Sequence, residues 1–370
     1  MATVTTSIGT SSRDYSTIAA WDADLDNTGI YSSGDTAQGE CYADSDFSMT
    51  GALAIDGGGT VGLDTRTLTA AVGQRHDGTA NTGVRLLRTA TGGGSWLSMD
   101  GSTGANGGPG NQMEWLEMDC NEKKVRAIIG VGVYGGIQRC LVYNARWDGG
   151  NQNLHGVSCG KKGWICNNIV YDLYQDNGSA TAEGINAIRA RGGGALDWGA
   201  VCMNTVYNIR TNSSDTNEEC IGIYVQEGYS LHRVYNNISM GTSSDNSTAL
   251  DFSTTTSTTY AASNYSSDAT AQGDNYQRNQ SASDTFVSIV TGSEDLHLKS
   301  GSNAIGAGKD AGANESIGGQ IFPYSPYYWD VDIDGRDRDA EGDTWDIGAD
   351  QFVAAAAATA NPAFLLFLDP

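Results

Sequence analysis

The densest group of side chains able to do chemistry lies near the C-terminus. Asp330-Val-Asp-Ile-Asp-Gly-Arg-Asp-Arg-Asp-Ala-Glu341 fits the pattern Asp-x-Asp-x-Asp-Gly-x5-Glu position for position. The carboxylates of Asp330, Asp332, Asp334 and Glu341 are hard oxygen ligands of the kind calcium takes. Like charges so closely spaced repel unless a cation, or the neighbouring Arg336 and Arg338, offsets them. The flanks differ from a helix–loop–helix calcium motif, because Phe322-Pro-Tyr-Ser-Pro-Tyr-Tyr-Trp329 stands where the first helix would be. A structural calcium pinning a loop is the one cofactor the residues suggest.

Elsewhere the chemistry is scattered. Proton abstraction next to a carboxylate needs a base, and Arg139, Arg146, Lys161, Lys162, Arg189, Arg191 and Arg210 are available. Glycosidic cleavage needs two carboxyl groups about 5–5.5 Å or about 6.5–9.5 Å apart. Asp172 with Asp197 or Asp215 on adjacent turns of chain is a candidate set. No spacing ties these groups together, and no Gly-x-Ser-x-Gly nucleophile elbow occurs, so no catalytic residue is assigned. Trp147, Trp164 and Trp198 lie in polar, glycine-rich surroundings. Each can stack on a sugar face, anchor a protein contact, or seal a turn of chain.

Composition limits what these groups can serve. The 370 residues carry 21 basic and 44 acidic side chains, net −23, which repels a phosphate backbone and argues against nucleic-acid binding. With 49 glycines but only 5 prolines, the glycines are turns, not collagen or proline-rich disorder. Seven cysteines, an odd number without a Cys-x-x-Cys pair, indicate reduced, buried thiols and folding in a reducing cytosol. The N-terminus shows neither the basic cluster nor the apolar run of a secretion signal. The longest apolar run, Phe364-Leu365-Leu366-Phe367-Leu368, is too short to span a bilayer. It follows an alanine-rich linker, and needs a cover: a partner, a second copy, or the chain's own body.

A degenerate repeat organises the middle of the chain. Arg139-Cys-Leu-Val-Tyr-Asn144, Cys166-Asn-Asn-Ile-Val-Tyr-Asp172, Cys202-Met-Asn-Thr-Val-Tyr-Asn208 and Val234-Tyr-Asn-Asn-Ile-Ser-Met240 align on a Val-Tyr pair. Taking Met118, Val142, Val170, Val206, Ser239 and Ser266 as equivalent gives steps of 24, 28, 36, 33 and 27 residues. Upstream of each pair runs a short alternating strand: 128–134, 154–159, 185–190, 221–225 and 249–252. Two or three strands per irregular repeat, with no helical period, predict a parallel β-helix solenoid of about ten coils stacked at roughly 4.8 Å. Cys140, Cys166 and Cys202 are expected to lead equivalent strands, and Asn167, Asn168, Asn204, Asn236 and Asn237 to form ladders at the turns.

A solenoid has open edges, which need covers. Residues 1–30 supply an arm and a short capping helix behind Asp14 or Ser16, with Ile18, Trp21 or Ala20, and Leu25 facing inward. The helical solenoid then runs over 31–284, an irregular section over 285–352 closes the far end, and 353–370 form the linker and apolar tail.

The ends resemble those of the right-handed parallel β-helix (pectin-lyase-like) superfamily. Asp14-Tyr-Ser-Thr-Ile-Ala-Ala-Trp is similar to its opening motif, and Asp295-Leu-His-Leu-Lys-Ser-Gly-Ser-Asn-Ala-Ile-Gly-Ala-Gly308 to its late-coil motif. Asp332-Ile-Asp-Gly-Arg-Asp-Arg338 with Trp345-Asp-Ile-Gly-Ala-Asp-Gln351 is similar to its closing sequence, which accounts for the Asp-x-Asp-Gly core without a metal. The resemblance implies an all-β fold, but the superfamily holds lyases, hydrolases, adhesins and phage proteins alike. The acidic surface and lack of an export signal look most like a phage-encoded virion component. That would be a non-enzymatic capsid decoration protein or tail adsorption fibre, assembled in the host cytoplasm and held to other virion proteins or to itself by the tail. The alternative is a polysaccharide lyase or glycoside hydrolase, as in a depolymerising tailspike, or an adhesin for a host-surface glycan.

Overall fold

The computed structural model describes residues 2–92, 94–99, 110–148, 153–176, 184–190, 198–212, 219–225, 231–254, 260–310, 316–317, 320–321, 330–340 and 344–354. At 198, 231, 260, 316, 317, 320 and 321 the backbone alone is described. Strands fall in turn on three parallel sheets of nine, nine and seven strands. One coil consists of Gly136–Gln138, Leu141–Trp147 and Leu154–Cys159, and the next of Trp164–Cys166, Ile169–Gln175 and Ile185–Ala190. Parallel crossovers of this kind run right-handed, and the fold is a right-handed parallel β-helix. The seven-stranded sheet closes seven complete coils, not ten, because long connections such as that between Ala70 and Arg85 lengthen single coils.

Register follows the repeat. Met118, Val142, Val170, Val206, Ser239 and Ser266 are consecutive partners on the second sheet. Their side chains point inward, beside the stacks Ile137–Ile165–Val201–Val234 and Ile129–Val157–Ile188–Ile223–Phe252 of the other two sheets, all buried. Each large apolar side chain removed from water in this way contributes roughly 1.5–3 kcal/mol.

The turn from first to second sheet is built by pairs of residues with separate duties. The first of each pair takes a left-handed conformation, as at Asn167 (φ 56°) and Asn236 (φ 54°). The second enters a buried amide ladder: Asn168 Nδ2 donates to Asn204 Oδ1 at 3.0 Å, Asn204 Nδ2 to Asn237 Oδ1 at 3.0 Å, and Asn237 Nδ2 to Asn264 Oδ1 at 3.1 Å. The cysteine stack is shorter than expected. Cys166 pairs with Cys202, but Gln138 is the partner of Cys166, while the Cys140 N–H donates to Asn168 Oδ1 at 2.9 Å and so belongs to the turn. All seven cysteines are free and buried.

The N-terminal helix spans Ile18–Ala23, and its cap is Thr17, whose Oγ1 accepts the Ala20 N–H at 3.1 Å. Asp14, one expected cap, instead accepts the N–H and hydroxyl of Ser7 at 2.8 Å each. Ile18, Trp21 and Leu25 are buried as the spacing predicts.

The C-terminal section departs most from expectation. The far end is covered by residues 267–280, which continue the stack through bridges of Ala262 with Asp274 and Tyr265 with Gln277. Beyond them a short helix, Ala282–Thr285, leads into the antiparallel hairpin Phe286–Val290 and Ser293–Leu298. This hairpin and the later segments lie along the flank of the solenoid, on the outer face of the second sheet. The cause is in that face: Leu141, Ile169, Thr205 and Ile238 form one outward row, apolar but for Thr205, and Tyr143, Tyr171, Tyr207 and Met240 another. A sheet apolar on both sides must be covered on both. Phe286, Leu296, Leu298, Ile333 and Ile347 cover it. The left-handed turn residues hold the cover down, since Asn236 exchanges two hydrogen bonds with the Lys309 backbone at 2.7 Å and Asn167 Oδ1 accepts from Arg338 Nη2 at 3.0 Å. Among the described residues no helix is long and apolar enough to cross a membrane.

Candidate functional site

Between the hairpin turn at Gly292 and the outer face of the second sheet lies a cleft of about 460 Å3. One wall is a register row from successive coils, Asp119, Tyr143 and Tyr171. Parallel strands in register bring like side chains together, and the two tyrosine rings stack with centroids 5.1 Å apart and planes 7° from parallel. The opposite wall is Glu294 and Asp295, and Arg85 stands at the edge.

Asp172 enters this region by a backbone device. It occupies the left-handed region (φ 53°) between Tyr171 and Leu173, as Asn144 and Asn208 do at the same place in the adjoining coils (φ 56° each). Asn and Asp accept this conformation more readily than other side-chain-bearing residues. Asn208 Nδ2 donates to Asp172 Oδ1, and the Asp172 carboxyl comes within hydrogen-bonding reach of the Glu294 carboxyl.

The charges are tuned against one another. Burial, and then the adjacent Asp172 carboxylate, raise the Glu294 pKa above the usual glutamate range. Its neighbour Asp295 moves the other way, chiefly because His297 donates to it, Nδ1 to Oδ1 at 2.5 Å. Two consecutive carboxyls are therefore driven apart, one toward the proton-holding form and one toward the anion, the arrangement acid–base chemistry requires. Glu117, fully buried below the row, is raised by burial and accepts the Tyr143 hydroxyl and, at 2.7 Å, the Asn81 N–H. Burial also pushes the Tyr143 and Tyr171 phenols up, so both remain neutral hydrogen-bonding groups. Arg85 is already matched, to Asp46 at 2.5 Å and Asp119 at 3.5 Å.

The residues singled out from the sequence are placed differently. Trp147 and Trp164 are strand residues, 3% and 4% exposed, so neither offers an indole face to a glycan. Lys124 Nζ sits 4.8 Å from the Trp147 ring centroid. The Trp164 ring fills the space over Gly136, where a Cβ would fall 2.0 Å from Cε2. Both indoles seal coils, as in the third of the uses open to them. Trp198 opens the strand Trp198–Cys202, and its side chain lies outside the described residues.

The Asp-x-Asp-x-Asp loop does not converge on a point. Asp332 is buried, and its two oxygens accept the N–H groups of Asp334 at 2.9 Å, Arg336 at 2.7 Å and Gln351 at 3.1 Å. Asp334 turns to His297, while Asp330 groups with Asp337 and Asp339. Glu341 lies outside the described residues, as do Asp197, Asp215, Arg191 and the apolar tail Phe364, Leu365, Leu366, Phe367 and Leu368. A single calcium held by Asp330, Asp332 and Asp334 together is therefore not what this loop builds; backbone donors have taken the place of the ion at Asp332.

The basic residues are dispersed as well. Arg139 pairs with Glu114 at 3.3 Å, Arg189 Nη1 lies 2.8 Å from His155 Nε2, and Arg146 and Arg210 flank the Tyr174 ring at 5.3 and 5.8 Å. The tyrosine wall was open to sequence reasoning, because an inward Val142 or Val170 forces the next residue outward. Nothing in the sequence marked Glu294.

No family model matches the chain, and no curated protein does. Among solved structures it is similar to a pectate lyase, Pel9A, at 15% identity and a TM-score of 0.30, covering 95% of this chain and 96% of that one. No residue role is carried across at that distance.

Proposed function

We propose that the chain acts on a polysaccharide, binding a neutral glycan in the cleft and cleaving it with Glu294 as proton donor. The observation that carries this reading is the opposed tuning of Glu294 and Asp295 beside two stacked tyrosine rings. A carboxyl that holds its proton more tightly than usual can supply the acid that a leaving glycosidic oxygen needs, and the Asp119 carboxyl lines the same cleft for the second role. Tyr143 and Tyr171 are 3% and 4% exposed, so they serve as the packed wall that holds the cleft in shape and not as faces on which a sugar stacks.

Charge favours a neutral glycan over a polyuronate. Asp119, Glu294 and Asp295 line the cleft, and the one guanidinium among its described lining residues, Arg85, is spent on Asp46 and Asp119. Proton abstraction next to a uronate would need a free base and a site tolerant of more negative charge. Hydrolysis therefore fits better than elimination. The test is a panel of neutral and acidic glycans assayed for new reducing ends and for unsaturated uronate absorbance. Reducing ends from a neutral glycan, lost in Glu294→Gln, are expected. Unsaturated products, or full activity in Glu294→Gln, would overturn the reading.

The role of a phage particle component is a separate proposal, drawn from the acidic composition, with the tail Phe364–Leu368 as its assembly anchor. The two are compatible, since a fibre that adsorbs to a surface glycan needs such a cleft.

A further inference from the structure

Three segments that are distant in the chain meet behind the cleft wall, around His297. The imidazole is clamped, with Nδ1 2.5 Å from Asp295 Oδ1 and Nε2 2.9 Å from Asp334 Oδ1. Asp350 completes the group. Its Oδ2 accepts the Leu298 N–H at 2.7 Å, but its Oδ1 is buried with no hydrogen-bond partner, in a residue only 3% exposed. One ligand atom from each of His297, Asp334 and Asp350 lies within 4.8 Å of the others. Gly78 (φ 85°) keeps the space beside the imidazole open, since a Cβ there would fall 2.7 Å from Nε2.

We propose that His297 Nε2, Asp334 Oδ1 and Asp350 Oδ1 bind one divalent transition-metal cation of the zinc class. A carboxylate oxygen that is dry and unpaired is costly, and a cation is the partner that removes the cost. One imidazole with two carboxylates suits zinc better than calcium or magnesium, which prefer oxygen throughout. The outer contacts are those of a metal site. Asp295 takes the far N–H of the imidazole, fixing its tautomer and orientation, and Arg336 Nη1 holds the second oxygen of Asp334 at 3.1 Å. Only Asp334 is shared with the Asp-x-Asp-x-Asp pattern of the sequence. The ion joins the strand Ser293–Leu298 to the segments 330–340 and 344–354, and so fastens the layers of the flank cover to each other. The metal site does not rest on the glycan reading, although the two share Asp295, which lines the cleft and holds His297.

The test is calorimetric titration of chelator-stripped full-length protein with zinc chloride and, separately, calcium chloride. One zinc per chain is expected, with affinity reduced at least tenfold in Asp350→Asn and in His297→Gln, and unchanged in Asp337→Asn, which alters the neighbouring acidic group. Asp295→Asn, which leaves all three ligands in place, should weaken zinc binding about 10–100-fold while the circular dichroism spectrum stays that of the wild type, and keeps the test decisive if the other variants misfold. Cobalt in place of zinc should give a visible absorption band in the wild type that Asp350→Asn lacks. Absence of zinc binding at millimolar concentration, binding of calcium in preference to zinc, or undiminished binding in Asp350→Asn would overturn the proposal.

Discussion

Asn168 and Asn204, on successive coils, share one oxygen: Asn204 Oδ1 accepts both the backbone N–H and the side-chain Nδ2 of Asn168, each at 3.0 Å. The same arrangement repeats from Asn204 to Asn237 and from Asn237 to Asn264. Asn204→Ala would leave the buried Asn168 backbone N–H without an acceptor and take away the donor to the Ile165 carbonyl and to Asn237 Oδ1, at about 1–3 kcal/mol for each buried group left unpaired. A loss of roughly 2–5 kcal/mol in urea unfolding is expected, against under about 1 kcal/mol for Val72→Ala on the exposed surface. Equal losses would show that the ladder contributes nothing particular.

Glu294→Gln should lower glycan turnover about 10²–10⁴-fold with little change in melting temperature. Because Asp172 is the second cause of the raised Glu294 pKa, Asp172→Asn should bring that pKa down. The alkaline limb of the pH–rate profile would then move toward acid. A limb that stays in place, or moves the other way, would remove Glu294 from the role of acid.

His76 gives the fold a dependence on pH. It is 2% exposed, its Nε2 lies 2.9 Å from the Arg139 carbonyl, and its Nδ1 accepts the Gly78 N–H at 3.3 Å, so it is bound as the neutral ring. Burial lowers its pKa from 6.5 to about 4. A depressed pKa means that stability is present above the unfolded value and is lost as pH falls from about 6.5 through about 4. The loss should approach roughly 3 kcal/mol. Urea midpoints across that range should fall more steeply for the wild type than for His76→Gln, and parallel curves would contradict the assignment.

Gly136 is the floor on which the Trp164 ring rests, with no room for a Cβ. Gly136→Ala should cost about 1–3 kcal/mol by overpacking, and the double variant Gly136→Ala, Trp164→Leu should recover part of it. Thermal melts of the four proteins check this, with strict additivity as the contrary result.

Removal of residues 361–370 tests the tail. Five large apolar side chains offer a gross gain on the order of 10 kcal/mol when covered. The truncated protein should melt as the full chain does and lose self-association or incorporation into particles, read by sedimentation. A markedly lower melting temperature with assembly retained would place Phe364–Leu368 in the chain's own core.

The sequence by itself determined the coil. Met118, Val142, Val170, Val206, Ser239 and Ser266 align as the Val-Tyr repeat says, because inward and outward alternation is local and each coil repeats it whatever the length of its loops. The asparagines were legible for the same reason, although the separate duties of Asn167 and Asn168 were not. Only the tertiary structure decided where the described parts of residues 285–352 go. Their course depends on an outward apolar surface assembled from many coils, Leu141 through Met240, which no single segment displays. That course is what brings Glu294 to Asp172, turns Asp334 toward His297, and hands the oxygens of Asp332 to backbone N–H groups. Burial of Trp147 and Trp164 was likewise decided by neighbouring coils, since glycine-rich surroundings in sequence describe the turn beside a residue and not the coil stacked above it.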